Sequence, residues 1–270
     1  DFQMENTKVL FISQEITPYL PESEMSLIGR YLPQGIQDKG MEIRTFMPKY
    51  GSINERRNQL HEVIRLSGMN LIINDTDHPL IIKVASIQSA RMQVYFIDNE
   101  DYFQRRSTLQ DDNRKFFDDN DERIIFFARG VLETVRKLRW SPDIIHCHGW
   151  FTSLVPLYIK KAYHDDPLFS NSKLIYSIYD KEFDPPLNKD FRDKVLFETI
   201  TKNDIKILKE PSFTNLSKLA IEMSDGLIAG SKTINNELMS FIKDSDKPYL
   251  SYQTEDAYID AYSKFYDTIL

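Results

Sequence analysis

One short segment contains residue types that could do chemistry: His146 and His148, on either side of Cys147. On a strand, residues two apart point to the same face, so the two imidazoles could share a metal ion while the thiol faces away. No third ligand lies nearby in the sequence, and locally hydrogen-bonded histidines are the commoner arrangement. We therefore expect no metal site, and we expect Cys147 to be a small core residue rather than a nucleophile.

The residues directly after this segment, Gly149 and Trp150, lie where a predicted strand gives way to a helix. Backbone N–H groups at such a junction are free to bind an anion or a sugar hydroxyl. A single histidine and a single tryptophan do not specify a ligand. The location of His148 and Trp150 at this junction is therefore what favours binding. A purely structural role for His148 and Trp150 is the alternative.

The composition excludes several classes of function. The chain has 270 residues, of which 41% are hydrophobic, and its mean hydropathy of -0.44 predicts a globular protein with no membrane partner. A net charge of -7 argues against a nucleic-acid partner. The single cysteine excludes an intramolecular disulfide and favours a cytoplasmic location. No phosphate-binding loop, Rossmann glycine fingerprint or nucleophile elbow occurs, so we expect no cofactor.

Hydrophobic patterns predict strands that alternate with helices. Five apolar runs are typical of strands buried on both faces of a parallel sheet: 8–13, 41–47, 143–148, 173–179 and 225–229. Helical spacing occurs in five segments: 23–38, 124–138, 151–163, 216–223 and 234–242. Antiparallel strands or an inserted hairpin are expected in three segments: 61–67, 80–87 and 91–97. The predicted fold class is α/β, with a doubly wound, mostly parallel, Rossmann-like sheet.

The predicted parallel strands indicate which loops could bind a ligand. Ligands bind at the carboxyl ends of parallel strands, so the loops after Ser13, His148 and Tyr179 are where we expect contacts. The acidic run 119–123 is expected to be a helix N-terminus with a solvated face. Near the end of the chain, aromatic residues at helical spacing predict a helix that covers the core rather than binding a partner. They are Tyr258, Tyr262, Phe265 and Tyr266, followed by Ile269.

Several motifs occur in a fixed order along the chain. They are Ser13-Gln14-Glu15-Ile16-Thr17-Pro18, the segments 28–33 and 47–50, Asp119-Asn120 with Arg123, and the segment 142–150. Together they resemble the N-terminal domain of bacterial glycogen and starch synthases, retaining GT-B-type glucosyltransferases that extend α-1,4-glucan from ADP-glucose. The resemblance implies that Glu15, His148 and Trp150 contact the sugar, and that the partner is an α-glucan or maltooligosaccharide.

The resemblance also implies how the chain is divided. Residues 4–245 would form the synthase-like α/β domain, and 246–270 a C-terminal segment whose helix returns to pack on it. The family's second domain, which neutralises the phosphates of the donor, has no counterpart in these 270 residues. We therefore expect half of a two-domain cleft.

Departures from the family's motifs fall on the positions that would hold the sugar nucleotide. Where the family has K-x-G-G-L, this chain has Glu22-Ser23-Glu24-Met25-Ser26-Leu27. Carboxylates repel a diphosphate, and side chains in place of glycine block the approach of the backbone. We therefore describe Glu22, Ser23 and Glu24 as a degenerate donor loop. Gly149 replaces the family's aspartate in H-D-W, and no residue is assigned a catalytic role.

Three functions are consistent with this pattern. The favoured one is a degenerate domain of α-glucan metabolism that does not transfer glucose from ADP-glucose by itself. The first alternative is an active or split glycogen synthase, completed in the split case by a separate C-terminal half. The second alternative is a regulatory module that binds a separate protein partner.

Overall fold

The computed structural model describes residues 7–270. The strands in that range are β1 Lys8–Ser13, β2 Glu42–Pro48, β3 His61–Glu62, β4 Asn70–Ile73, β5 Thr76–Pro79, β6 Ile81–Ile87, β7 Met92–Asp98, β8 Ile144–His148, β9 Lys173–Ile178, β10 Gly226–Ala229 and β11 Tyr249–Leu250. The helices are α1 Glu24–Asp38, α2 Asn120–Leu138, α3 Leu154–Lys161, α4 Phe191–Val195, α5 Phe213–Met223, α6 Asn236–Ser245 and α7 Tyr258–Ile269. None of these helices is long and apolar enough to cross a bilayer.

Nine of the strands form one sheet in the order β11-β10-β9-β8-β1-β2-β7-β6-β3. Pairing is parallel from β11 to β7, whereas β6 and β3 are added antiparallel at one edge. The other two strands, β4 and β5, form a separate hairpin whose turn residues Asn74 and Asp75 both have positive φ, as two-residue hairpin turns require. The predicted mostly parallel α/β fold with inserted antiparallel strands is confirmed.

The sheet is buried on both faces because helices cover each of them. Alternate residues of β1 point to opposite sides. Leu10 and Ile12 pack in a core with α2, α3 and α5, whereas Val9 and Phe11 pack in a second core with α1 and α7. This two-sided burial explains why the strand sequence is an unbroken apolar run.

The C-terminal helix α7 packs back on the sheet, as its aromatic stripe predicts. Tyr262 and Tyr266 are each 1% exposed, and the Tyr266 hydroxyl lies 2.6 Å from Nδ1 of His146 in β8. At Gly226 in β10, a Cβ atom would lie 2.7 Å from the end of the Ile269 side chain, so the absence of a side chain lets α7 approach the strand closely. The stripe is therefore used for packing on the core.

The prediction of a solvated face at 119–123 is wrong. Asn120, Asp121 and Arg123 are buried. Arg123 donates to the backbone oxygens of Tyr102 and Thr108 at 2.8 Å and to Asn120 at 2.6 Å. The Asp121 carboxylate lies 3.0 Å from Lys194 of α4. Because most of these polar groups have partners within the protein, they can be buried, and they fix the start of α2 against its neighbours.

The segment 61–67 is also less extended than predicted. Only His61–Glu62 pairs as a strand, and Ile64–Leu66 forms a 3₁₀ turn. A turn that lies over the core buries Leu66 but leaves Ile64 exposed, so an apolar segment does not have to be a strand.

Candidate functional site

The candidate site lies where the sheet changes direction. From β1, the chain continues to β2 on one side and later returns as β8 on the other, which creates the switch point at which ligands bind in such sheets. Ser13 at the end of β1 is in register with His148 at the end of β8, and His148 with Ser177 in β9. The structure therefore brings the three predicted loops to one edge.

His146 and His148 form a buried pair with ring centroids 3.9 Å apart and ring planes tilted by 30°. Nε2 of His146 lies 2.6 Å from the Ser177 hydroxyl, and Nδ1 of His148 lies 2.8 Å from the Tyr179 hydroxyl. Burial lowers the pKa of His148 to about 3 and that of His146 well below its ordinary value. Both imidazoles are therefore neutral at pH 7. In the described part of the chain, no group of three or more His, Cys, Asp or Glu side chains is placed to hold a metal ion.

Cys147 faces the opposite side of the sheet. It is fully buried in the core with α2, α3 and α5, and burial raises the pKa of its thiol far above the ordinary value. A buried thiol that stays protonated is a poor nucleophile. The predicted core role of Cys147 is confirmed.

Among the polar atoms at this edge that are buried without a hydrogen-bond partner in the described residues are Nε2 of His148 and Nε2 of Gln14. The other polar atom of the Gln14 amide is used, because Oε1 accepts from the backbone N–H of Phe151 at 2.9 Å. An unpaired buried polar atom costs about 1–3 kcal/mol. These two atoms therefore have unused hydrogen-bonding capacity beside the switch point.

Glu15 and Trp150, the other residues carried over from the resemblance, are also largely buried, at 9% and 2% exposed. The Glu15 carboxylate forms an ion pair with Lys181 from the loop after β9. The Trp150 ring packs edge-on against Phe183 with centroids 4.6 Å apart. Lys181 and Phe183 lie in the loop after β9, the third loop that the sequence predicts for ligand contacts. No motif in the sequence identifies them as partners of Glu15 and Trp150.

The donor-loop segment leads into the first turn of α1. Ser23 caps this helix, and the Ser23 and Ser26 hydroxyls each accept from the other residue's backbone N–H, at 3.0 and 2.7 Å. Glu22 and Glu24 remain exposed, and the Glu24 carboxylate accepts a hydrogen bond from the Ser231 hydroxyl at 2.7 Å. Ser231 follows β10, so this bond links the two loops across the switch point.

Gly149 and Met25, two positions at which the chain departs from the family's motifs, are in contact with each other. Gly149 has a φ of +89°, and a Cβ atom at this position would lie 2.9 Å from the Met25 sulfur and 2.6 Å from Oε1 of Gln14. The thioether of Met25 therefore occupies space that a side chain at position 149 would need. This contact is between residues 124 positions apart, and neither residue indicates it from the sequence alone.

These features define a Rossmann-like α/β domain with its candidate site at the carboxyl edge of the sheet. The fold matches the catalytic domain of starch synthase IV from Arabidopsis thaliana bound to ADP and acarbose, with a TM-score of 0.75 and 18% identity over 92% of this chain and 52% of that one. A family model described as the starch synthase catalytic domain matches residues 8–246. The chain belongs to this family, as its motifs predict.

Two curated relatives are similar over a large part of this chain. A glycogen synthase of Chlorobium luteolum is 35% identical over 244 residues, 87% of this chain and 47% of that protein. A glycogen synthase of Chlorobium limicola is 40% identical over 175 residues, 64% of this chain and 36% of that protein. The chain thus matches less than half the length of these relatives.

Proposed function

We propose that this domain acts in α-glucan metabolism by binding α-1,4-glucan, and that its donor loop does not hold the diphosphate of ADP-glucose. The proposal includes a cytoplasmic location, which the free thiol of Cys147 supports. It also includes the division into an α/β domain, 4–245, and a C-terminal segment, 246–270. The first three residues of that domain, 4–6, lie outside the described range.

The first turn of α1 is the observation that carries this proposal. A helix N-terminus binds an anion through free backbone N–H groups, and here Ser23 and Ser26 each satisfy the other's N–H, which leaves fewer of these groups for an anion. The carboxylates of Glu24, in the first turn, and of Glu22, directly before the N-cap residue, are both exposed. Two like charges about 4 Å apart repel by about 1 kcal/mol in bulk water and by about 4 kcal/mol near a protein surface. A pyrophosphate would therefore be disfavoured here.

The sugar side of the site supports glucan binding. The edge retains Glu15, His148 and Trp150, and the unpaired nitrogen atoms of His148 and Gln14 have the capacity to bond with hydroxyl groups. A neutral polyol, unlike a diphosphate, places no charge beside Glu24. The ion pair between Glu15 and Lys181 keeps both charges compensated within the protein.

Calorimetric titration tests this proposal with two ligands, maltoheptaose and ADP-glucose. We expect maltoheptaose to bind with a millimolar or tighter Kd, and ADP-glucose to give no detectable binding. The double variant E22Q/E24Q, which removes both charges from the donor loop, should gain affinity for ADP-glucose. Absence of maltoheptaose binding would refute the glucan role, and sub-millimolar binding of ADP-glucose by the unmodified chain would refute the donor-loop role.

An active or split glycogen synthase is the second candidate. The retained Glu15, His148 and Trp150 favour it, and the similar Chlorobium proteins bear the name glycogen synthase. It predicts release of ADP from ADP-glucose in the presence of glycogen, by the chain alone or with a separate C-terminal half. That release should be lost in H148A.

A further inference from the structure

A polar cavity lies at the amino edge of the sheet, opposite the candidate site. It has a volume of about 260 Å³ and lies between α1 and the first residues of β2 and β7. These two strands are parallel neighbours, and β2 has 7 residues, so roughly 20 Å separate the cavity from the carboxyl edge. Pockets for drug-sized ligands have about 300–1,000 Å³, so this cavity fits a ligand smaller than a sugar nucleotide. Its polar lining consists of Gln37, Glu42, Arg44, Arg91, Gln93 and Tyr95.

Arg44 brings to this cavity a guanidinium group that is held in place but not neutralised. Nη1 donates to the Tyr95 hydroxyl at 2.9 Å, and Cζ lies 5.3 Å from the ring centroid of Trp140 and 5.9 Å from that of Tyr95. Nε is buried without a hydrogen-bond partner, and neither Nη2 nor the group as a whole has a partner carboxylate in the described chain. The two rings therefore orient a cation whose donors are only partly used.

Arg91 supplies a second guanidinium from the turn before β7. The turn is tied to α1, because Nε2 of Gln37 donates to the Ala90 carbonyl at 3.1 Å. The Arg91 side chain is exposed, and it makes no hydrogen bond or ion pair with residues 7–270. The backbone at Arg91 is thus fixed, whereas every donor of its guanidinium is available to a ligand.

Glu42 is the one carboxylate in this lining. Its Oε1 atom accepts from the indole N–H of Trp140 at 2.8 Å, and its other oxygen has no hydrogen-bond partner in the described part of the chain. With two arginines and one glutamate, the lining is net positive in a chain of net charge -7. The cavity therefore favours an anion, and Glu42 requires that this anion also carry a hydrogen-bond donor.

We propose that this cavity is a binding site for hydrogen phosphate. Arg91 and Nη2 of Arg44 donate to the phosphate oxygens, since guanidinium groups match the geometry of phosphate. The free oxygen of Glu42 accepts from the P–OH group. Sulfate is also tetrahedral but has no proton at pH 7, so Glu42 repels it. The site does not depend on the proposed function, because no residue of the candidate site takes part.

Titration calorimetry with inorganic phosphate at pH 7 tests the site. We expect saturable binding by the unmodified chain, weakened about ten-fold in R91A because a charged hydrogen-bonding partner is lost. R139A is the matched control: Arg139 is also exposed, has a φ of +51° against +50° for Arg91, and does not line the cavity. Its Kd should equal that of the unmodified chain. Equal thermal unfolding midpoints will verify that both variants are folded.

The role of Glu42 is tested with sulfate as the competing anion. Sulfate should bind at least ten-fold more weakly than phosphate to the unmodified chain, because it offers Glu42 no donor. E42Q should reduce this difference, since an amide can donate to sulfate while its oxygen still accepts from Trp140. R44K, which keeps the charge but removes the planar fork, should weaken phosphate binding.

The outcomes that would overturn this inference are distinct from those that test glucan binding. Absence of phosphate binding, an equal loss in R91A and R139A, or equal affinities for phosphate and sulfate would each refute the site. Maltoheptaose binding should be the same in R91A as in the unmodified chain, because the cavity and the candidate site lie at opposite edges of the sheet. A loss of maltoheptaose binding in R91A would contradict this separation.

Discussion

Gly149 and Met25 show how a departure from a family motif depends on another residue. The positive φ of Gly149 and the Met25 thioether together leave no room for a Cβ atom. An aspartate at position 149 would meet both the Met25 sulfur and the Gln14 amide. The loss of the family's aspartate and the presence of methionine in the donor loop are therefore physically coupled.

We predict that G149A lowers the free energy of unfolding by about 2–4 kcal/mol, because backbone strain and a steric overlap add. Gly68 offers a matched control, since its φ is +100° but nothing lies within 4 Å of a Cβ atom there. G68A should lower the free energy of unfolding by the backbone strain alone, about 1 kcal/mol. Urea denaturation measures both. Equal costs for the two variants would contradict the overlap.

The coupling itself is measured by a double-mutant cycle with M25A. Removal of the thioether should reduce the cost of G149A by about 1 kcal/mol, since residues in contact are not additive. Additive free energies would show that Met25 does not restrict position 149.

From the sequence, the residues of the candidate site could be predicted, but the residues that contact them could not. Glu15, His148 and Trp150 lie at one edge because each is at or just after the end of a predicted parallel strand, which the order of motifs indicates. Their partners Lys181, Tyr179 and Phe183 could not be assigned, because a side-chain contact between distant loops leaves no local pattern. The burial of the polar run 119–123 leaves no local pattern for the same reason, since two of the groups that accept hydrogen bonds from Arg123 are backbone carbonyls elsewhere in the chain.

Among the elements, the neighbouring histidines of β8 link this strand to α7 and to the residue after β9. His146 bonds to Tyr266 of α7, and His148 to Tyr179 after β9. Burial keeps both imidazoles neutral in the folded protein, whereas in the unfolded chain a histidine gains a proton below about pH 6.5. The unfolded state then binds more protons, so acid favours unfolding.

We predict that the free energy of unfolding falls as the pH is lowered from about 6.5 towards 3, the pKa of His148. The slope is up to about 1.4 kcal/mol per pH unit for each histidine. Urea denaturation at pH 7, 6 and 5 measures it, and H148Q should flatten it. H164Q removes an exposed histidine and should leave most of the slope in place. A stability that does not change between pH 7 and 5 would contradict buried, neutral imidazoles.

Long, periodic elements were predictable from the sequence and short ones were not. The aromatic spacing of α7 and the apolar runs of β1 and β8 indicate both their type and their burial. The strands β3 and β11 have two residues each, too few to produce a period, and they exist only because a neighbouring strand offers free backbone groups. The 3₁₀ turn Ile64–Leu66 likewise depends on its position over the core.

At the scale of the whole molecule, the candidate site and the donor loop share the carboxyl edge of a single parallel sheet. The candidate site lies at the switch point between β1 and β8, and the donor loop leads into α1 after β1. Glu22 and Glu24 are exposed there, so acidic charge faces a ligand that approaches this edge. This arrangement favours a neutral glucan over an anionic sugar nucleotide.

The most direct test of this account is a titration of ADP-glucose into the chain saturated with maltoheptaose. Maltoheptaose then already occupies the part of the site that binds glucan. Saturation with maltoheptaose is therefore the condition that most favours binding of ADP-glucose. We predict no heat of binding and no displacement of maltoheptaose. Saturable ADP-glucose binding that E22Q/E24Q does not strengthen would contradict the account, because the carboxylates would then not be what excludes the diphosphate.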